Sequence, residues 1–159
     1  MQVSYEFNHD ISIVYSILTD PDFLAARALK LGSIEANGNL EVGESNQKIT
    51  LTRKRKINVP SVLKAFLKNV QTAVTQEIWC AQGDGYRCDN TTDIQGAPLA
   101  ITGQISLAPS ANGCTFIASF KPDAKIMLGA RKLEKYAAKT IAKEIELECE
   151  YTAKHLAAL

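Results

Sequence analysis

The most constraining stretch of this sequence is its last one, Lys121 to Leu159. Leu133, Ala137, Ile141, Ile145 and Cys149 recur every four residues, with Ala130 before them and Thr152 and Leu156 after. Together they draw an apolar stripe that drifts slowly around a helix. Lys132, Lys135, Lys139, Glu146 and Glu150 fall largely off it. A helix over about residues 129 to 155 would be roughly 40 Å long at 1.5 Å per residue, enough to cross a small sheet. What precedes it reads as short strands, so the expected fold is α+β, a sheet gripping one long helix.

The strands announce themselves by alternation. Val3, Tyr5 and Phe7 share one side of an opening strand. Asp10 then caps a helix running to about Thr19, and Asp20-Pro21 breaks it. A second short helix, Asp22 to Lys30, ends at Leu31-Gly32. From Ser33 the period is two. Strands over about 34 to 42, 49 to 59, 72 to 82, 85 to 95, 98 to 108 and 114 to 121 are parted by turns such as Gly83-Asp84-Gly85 and Ser110-Ala111-Asn112-Gly113, short enough for antiparallel hairpins. Ser61 to Val70 reads as a short helix or a covering loop. That makes an antiparallel sheet of about seven strands, with two short helices after the first, in one domain spanning residues 1–159.

The balance of charge removes several classes of function. Lys and Arg number 18 and Asp and Glu 17, a net charge of +1 that gives no reason to expect a nucleic-acid partner. No span approaches the ~20 apolar residues of a transmembrane helix, and no signal peptide opens the chain, so the expected location is the cytoplasm. Cys80, Cys88, Cys114 and Cys149 make no C-x-x-C pair and read as small buried hydrophobes rather than zinc ligands or disulfides. Cys80 and Cys88 flank a turn and could face each other across it. His9 and His155 lie far apart with no metal-binding spacing, and no nucleotide-loop or nucleophile-elbow motif occurs. Neither a metal nor a cofactor is expected.

The residues also carry a likeness. Tyr5-Glu6-Phe7-Asn8-His9-Asp10, Leu18-Thr19-Asp20-Pro21-Asp22-Phe23 and the following Leu31-Gly32 resemble the START-like (SRPBCC, helix-grip) superfamily, and more narrowly a bacterial family of unknown function within it. Glu77 and Trp79, and Ile126-Met127-Leu128-Gly129 leading into Lys132-Leu133-Glu134, fit the same family across essentially the whole chain. Met127 stands where relatives often have proline. The resemblance implies a cavity between sheet and long helix that takes lipids or other apolar molecules. It brings no catalytic residues.

Alternation proposes the inward side chains: Ile34, Ala36 and Leu40; Ile49, Leu51 and Ile57; Val74, Ile78 and Cys80; Leu99, Ile101, Ile105 and Leu107; Cys114, Phe116, Ala118 and Phe120. Leu133, Ala137 and Ile141 would answer from the helix, with Tyr136 at the edge of its stripe. The same phase in Arg53-Lys54-Arg55-Lys56 turns Arg53 and Arg55 inward, where an unpaired charge is costly. They could bind the acidic end of an amphipathic ligand, pair with Glu144 or Glu148, or return to water through a bulge. Tyr86 and Asn90 share a phase that would place them in the cavity or leave Asn90 at a wet strand end. Glu77 opposes the phase of Val74 and Ile78 and is expected in solvent. The function these residues suggest is binding of a hydrophobic or amphipathic, lipid-like small molecule. A cyclase- or hydrolase-like enzyme using the same cavity, or a protein-interaction module, are the alternatives, and the oligomeric state is left open.

Overall fold

Local signals account for most element boundaries in the computed structural model, which describes residues 1–159. Strand β1 (Gln2–Phe7) leads into α1 (Ile11–Leu18), whose first turn is capped by the Asp10 carboxylate accepting from the Ser12 N–H at 2.9 Å. Helix α2 (Pro21–Lys30) starts one residue earlier than its periodicity predicts. Asp20 caps it through the N–H groups of Asp22 and Phe23, and Pro21, whose missing N–H costs nothing there, occupies the first helical turn. Strands β2 (Glu35–Val42), β3 (Gln47–Lys56), β4 (Val70–Gln82), β5 (Gly85–Ile94), β6 (Leu99–Ser110) and β7 (Gly113–Ala124) follow, then α3 (Ala130–Ala157). Between β3 and β4 the chain makes a single 3-10 turn, Ser61–Leu63, inside an otherwise irregular covering segment.

The seven strands form one antiparallel sheet in the order β1-β7-β6-β5-β4-β3-β2. Strands β2 to β7 are a simple meander. Strand β1 joins the far edge beside β7, so α1 and α2 must carry the chain from one edge of the sheet to the other. Helix α3 lies across the face they share, nearest in backbone to β7 and β1. The architecture is α+β and helix-grip-like.

Two apolar clusters fill the space between sheet and helices. One gathers Phe7, Val14, Leu18, Trp79, Leu107 and Phe116 beneath α1, α2 and the end of α3. The other gathers Val59, Leu63, Leu67, Leu99, Leu133 and Ala137 under the β3–β4 segment and the start of α3. The stripe on α3 is therefore tightly buried at both ends, at Leu133 and Ala137 and again at Cys149, Thr152 and Leu156. In the middle, Ile141 and Ile145 are only partly buried.

The expected phase holds in β1, β3, β5, β6 and β7 and fails in β4. Trp79 is 1% exposed and Ala73 is wholly buried, whereas Ile78 is 43% exposed. Val74, Ile78 and Cys80 thus face outward. Trp79 is the largest side chain of the strand, and only the face beneath the helices encloses its ring and bonds its N–H, through Glu77. Ile34 also stays exposed, just before the edge strand β2. Cys80 pairs across the hairpin with Arg87, and Cys88 with Trp79, so the two sulfurs sit on opposite faces of the sheet. All four cysteines are free thiols.

Candidate functional site

Beneath the middle of α3 lies a pocket of about 130 Å³. Its floor follows from register. Across the sheet, Ile49 pairs with Glu77, Glu77 with Asn90, Asn90 with Gly103 and Gly103 with Phe120. Gly103 thus stands in the inward row of β6 between Ile101 and Ile105, closely flanked by Asn90 and Phe120. A Cβ there would meet the Ser119 carbonyl oxygen at 2.7 Å and Asn90 Oδ1 at 2.8 Å.

The strand order divides the wall into two halves. Strands β6 and β7 contribute Ile101, Ile105, Phe116 and Phe120. Strands β3, β4 and β5 contribute Arg53, Arg55, Thr75, Glu77, Asn90 and Thr92, along with the apolar Leu51 and Trp79. Helix α3 follows suit, offering Ile141 and Ile145 together with Glu144 and Glu148, and α2 adds Leu24 and Arg27. The pocket is amphipathic because a charged strand and an apolar strand lie on one continuous sheet.

The charged half is a network. Glu148 accepts from Arg53 Nη1 at 3.2 Å and lies 3.3 Å from Arg27 Nη2, while Arg27 Nη1 donates to Thr152 Oγ1 at 3.1 Å. Arg55 is bonded to Glu144. The side chains of Arg27, Arg53 and Arg55 retain only 10%, 13% and 14% of their surface. Of the three fates open to Arg53 and Arg55 from the sequence, the structure shows pairing to the long helix. The pairing is incomplete: Nε of Arg53 and Nε of Arg55 are buried without an acceptor in the protein, which is uncommon for a buried donor.

Glu77 stands apart from these pairs. Its Oε2 accepts from Trp79 Nε1 at 2.8 Å, and its remaining surface opens into the pocket rather than outward. Burial pushes its carboxyl up from the ordinary range, against the pull of the Trp79 bond and of Arg27. Burial likewise raises Glu144, with Arg55 opposing, and lowers Arg55. Burial also pushes the Cys149 thiol up to about 12, which keeps this pocket-lining sulfur protonated and unreactive.

Of the residues singled out from the sequence, Arg53, Arg55, Asn90, Phe116, Phe120 and Ile141 come together at the pocket. Tyr86 lies away from it, stacked on Tyr15 with ring centroids 3.6 Å apart. Leu133, Tyr136 and Ala137 pack in the second apolar cluster. Glu77 is the clear correction, since it was expected in water and instead shares the inward face with Trp79. Arg27 was missed, although its spacing from Phe23, Leu24 and Ala28 already placed a cation inside the apolar stripe of α2.

Fold and pocket together define a helix-grip-like α+β protein with an amphipathic space under its long helix. The chain belongs to the family described as "Protein of unknown function (DUF2505)", whose model matches residues 2–156. No curated protein matches the sequence. Among solved structures, the TTHA0849 protein of Thermus thermophilus superposes with a TM-score of 0.66 at 12% identity, over 99% of this chain and 97% of that one. A Rhodobacter sphaeroides protein superposes at 0.57 with 17% identity, over 99% and 91%. The Ms6760 protein of Mycobacterium smegmatis does so at 0.57 with 10% identity, over 99% and 90%. At such identities these likenesses speak for the fold alone.

Proposed function

We propose that the protein binds a small amphipathic acid beneath α3, its carboxylate toward Arg53 and Arg55 and its apolar part against Phe116, Phe120 and Ile141, in keeping with a place among START-like (SRPBCC) domains of the cytoplasm. The observation that carries this reading is the pair of buried guanidinium N–H groups with no acceptor in a pocket whose opposite wall is apolar. A desolvated guanidinium prefers a carboxylate through charge-assisted bonds.

Size restricts the ligand. About 130 Å³ is well below the ~300–1,000 Å³ of pockets for drug-sized molecules, so a short-chain acid fits as the fold stands. A full lipid would require α3 to rise, which would break the bonds of Arg53 and Arg27 to Glu148 and of Arg55 to Glu144.

Native mass spectrometry followed by organic extraction would identify a resident molecule, and thermal melts with hexanoate and hexanol would test the chemistry. A ligand that binds only the native state raises its melting temperature. Hexanoate is expected to stabilise the protein and hexanol is not. Arg55→Met/Glu144→Met removes a buried pair without leaving one partner orphaned, and it should abolish the hexanoate shift while keeping the fold. Equal shifts from acid and alcohol, or none from either, would sink the proposal.

A further inference from the structure

One end of the molecule has a surface unlike the rest. It is built from the β3–β4 segment, the β5–β6 turn and the β7–α3 connection. Backbone bonds order them: Ile57 N–H donates to the Asn69 carbonyl at 2.6 Å, closing the β3–β4 segment, and Lys125 N–H donates to the Pro98 carbonyl at 2.8 Å, joining the β7–α3 connection to the β5–β6 turn. Leu63 and Leu67 are buried and anchor the segment. The apolar side chains left outside are large. Met127 is 100% exposed, Leu128 85%, Val62 69% and Val70 45%. Phe66 lies beside Gly129, whose backbone approaches its ring closely enough that a Cβ would stand 3.9 Å from Cε2, so the two loops form one surface.

Cations surround this apolar tip. Residues 56–70 and 121–135 hold eight of the 18 Lys and Arg but only two of the 17 Asp and Glu. That is a surplus of six positive charges, against a deficit of five over the rest of a nearly neutral chain. Lys56, Lys64, Lys68, Lys125, Arg131 and Lys132 are all exposed, and of these only Lys125 is paired, to Asp123 at 2.5 Å. The start of α3 adds to the anomaly. Its first turn has no acidic residue and no side-chain cap, yet Arg131 and Lys132 stand there, at the positive end of the helix dipole where cations are disfavoured. Nothing in the fold repays that arrangement.

We infer that this end is a docking surface for an anionic lipid bilayer, with Met127, Leu128 and Val62 entering the headgroup boundary and the ring of lysines and arginines meeting lipid phosphates. Exposed apolar tips within a basic collar suit a peripheral membrane contact, which combines apolar burial with attraction to anionic lipid. A protein interface fits less well, because the centres of such interfaces are depleted in lysine. A second copy fits worst, because a two-fold contact would set two surfaces of like charge against each other. No helix of the chain is long and apolar enough to cross a membrane, so the contact is with the surface of a bilayer. The inference stands independently of what the pocket holds.

Co-sedimentation of the full chain with vesicles tests it. The protein should pellet with vesicles of equal parts phosphatidylcholine and phosphatidylglycerol, not with phosphatidylcholine alone, and added salt should weaken binding. Met127→Ser/Leu128→Ser is expected to lower affinity on the order of tenfold, and Lys64→Glu/Lys132→Glu by at least about as much. Because these side chains are exposed, both variants should keep the circular dichroism spectrum and melting temperature of the parent, so lost binding would not reflect lost folding. Failure of the parent to pellet with anionic vesicles overturns the inference. So does a serine variant that binds as the parent does, or a concentration-dependent dimer that the serine variant abolishes.

Discussion

Glu77 shows how one side chain ties stability to the pocket. Its pKa is higher in the folded protein than in the unfolded chain, chiefly through burial, so the native state holds the proton more tightly. The carboxyl therefore favours folding at pH below the ordinary carboxylate range, and that contribution is lost as pH rises through the folded value. At neutral pH the protein carries the cost. Glu77→Gln keeps a group of similar shape without the charge, and should raise the melting temperature by about 3 °C near neutrality. The gain should shrink as pH falls toward about 4. Thermal melts across this range check the sign, and a variant less stable than the parent at neutral pH would show that Glu77 is held as a well-paired carboxylate.

At the scale of elements, β6 and α3 divide the work of making the pocket. A helix stripe that is uniform in sequence is packed at its ends and only partly buried at Ile141 and Ile145, while on β6 Ile101 and Ile105 line the pocket to either side of the closely packed Gly103. Gly103→Ala should destabilise the protein by about 1–3 kcal/mol, because the new methyl group meets a strand carbonyl that cannot move without disturbing the β6–β7 ladder. Urea denaturation would measure the cost. A neutral result would mean that the strands part more easily than their register implies. The same elements show what alternation can reveal. Strands β6 and β7 were legible because their apolar residues occupy a single phase. Strand β4 was not, because Val74 and Ile78 on one face compete with Ala73 and Trp79 on the other, and only the depth available for an indole ring separates them.

At the scale of the molecule, the N-terminal strand is completed by the last one. Every residue of β1 pairs with β7, from Gln2 opposite Ser119 to Phe7 opposite Cys114, so the sheet cannot close until nearly the whole chain has been made. Such non-local pairing couples the two ends of the sequence and slows folding. Trp79 is the only tryptophan and is buried in the first apolar cluster, while α3 spans both clusters through Ile145. If residues 1–159 are one cooperative domain, unfolding followed by Trp79 fluorescence and by helix circular dichroism will give coincident transitions. Separate midpoints would divide the chain into two units.

The sequence by itself determined the order of elements, the caps and breaks at Asp10, Asp20 and Pro21, the length of the final helix and the inward phase of five strands, because each follows from local backbone chemistry or from one-sided apolar periodicity. It also placed Arg53 and Arg55 on the inner face, with Glu144 and Glu148 among their possible partners. Only the tertiary structure decided that Arg27 joins Arg53 at Glu148, that Glu77 faces the pocket, that the pocket is as small as it is, and that Met127, Val62 and a collar of cations meet at one end. Those outcomes depend on which distant segments are brought together across the sheet, and no period within a single element records that.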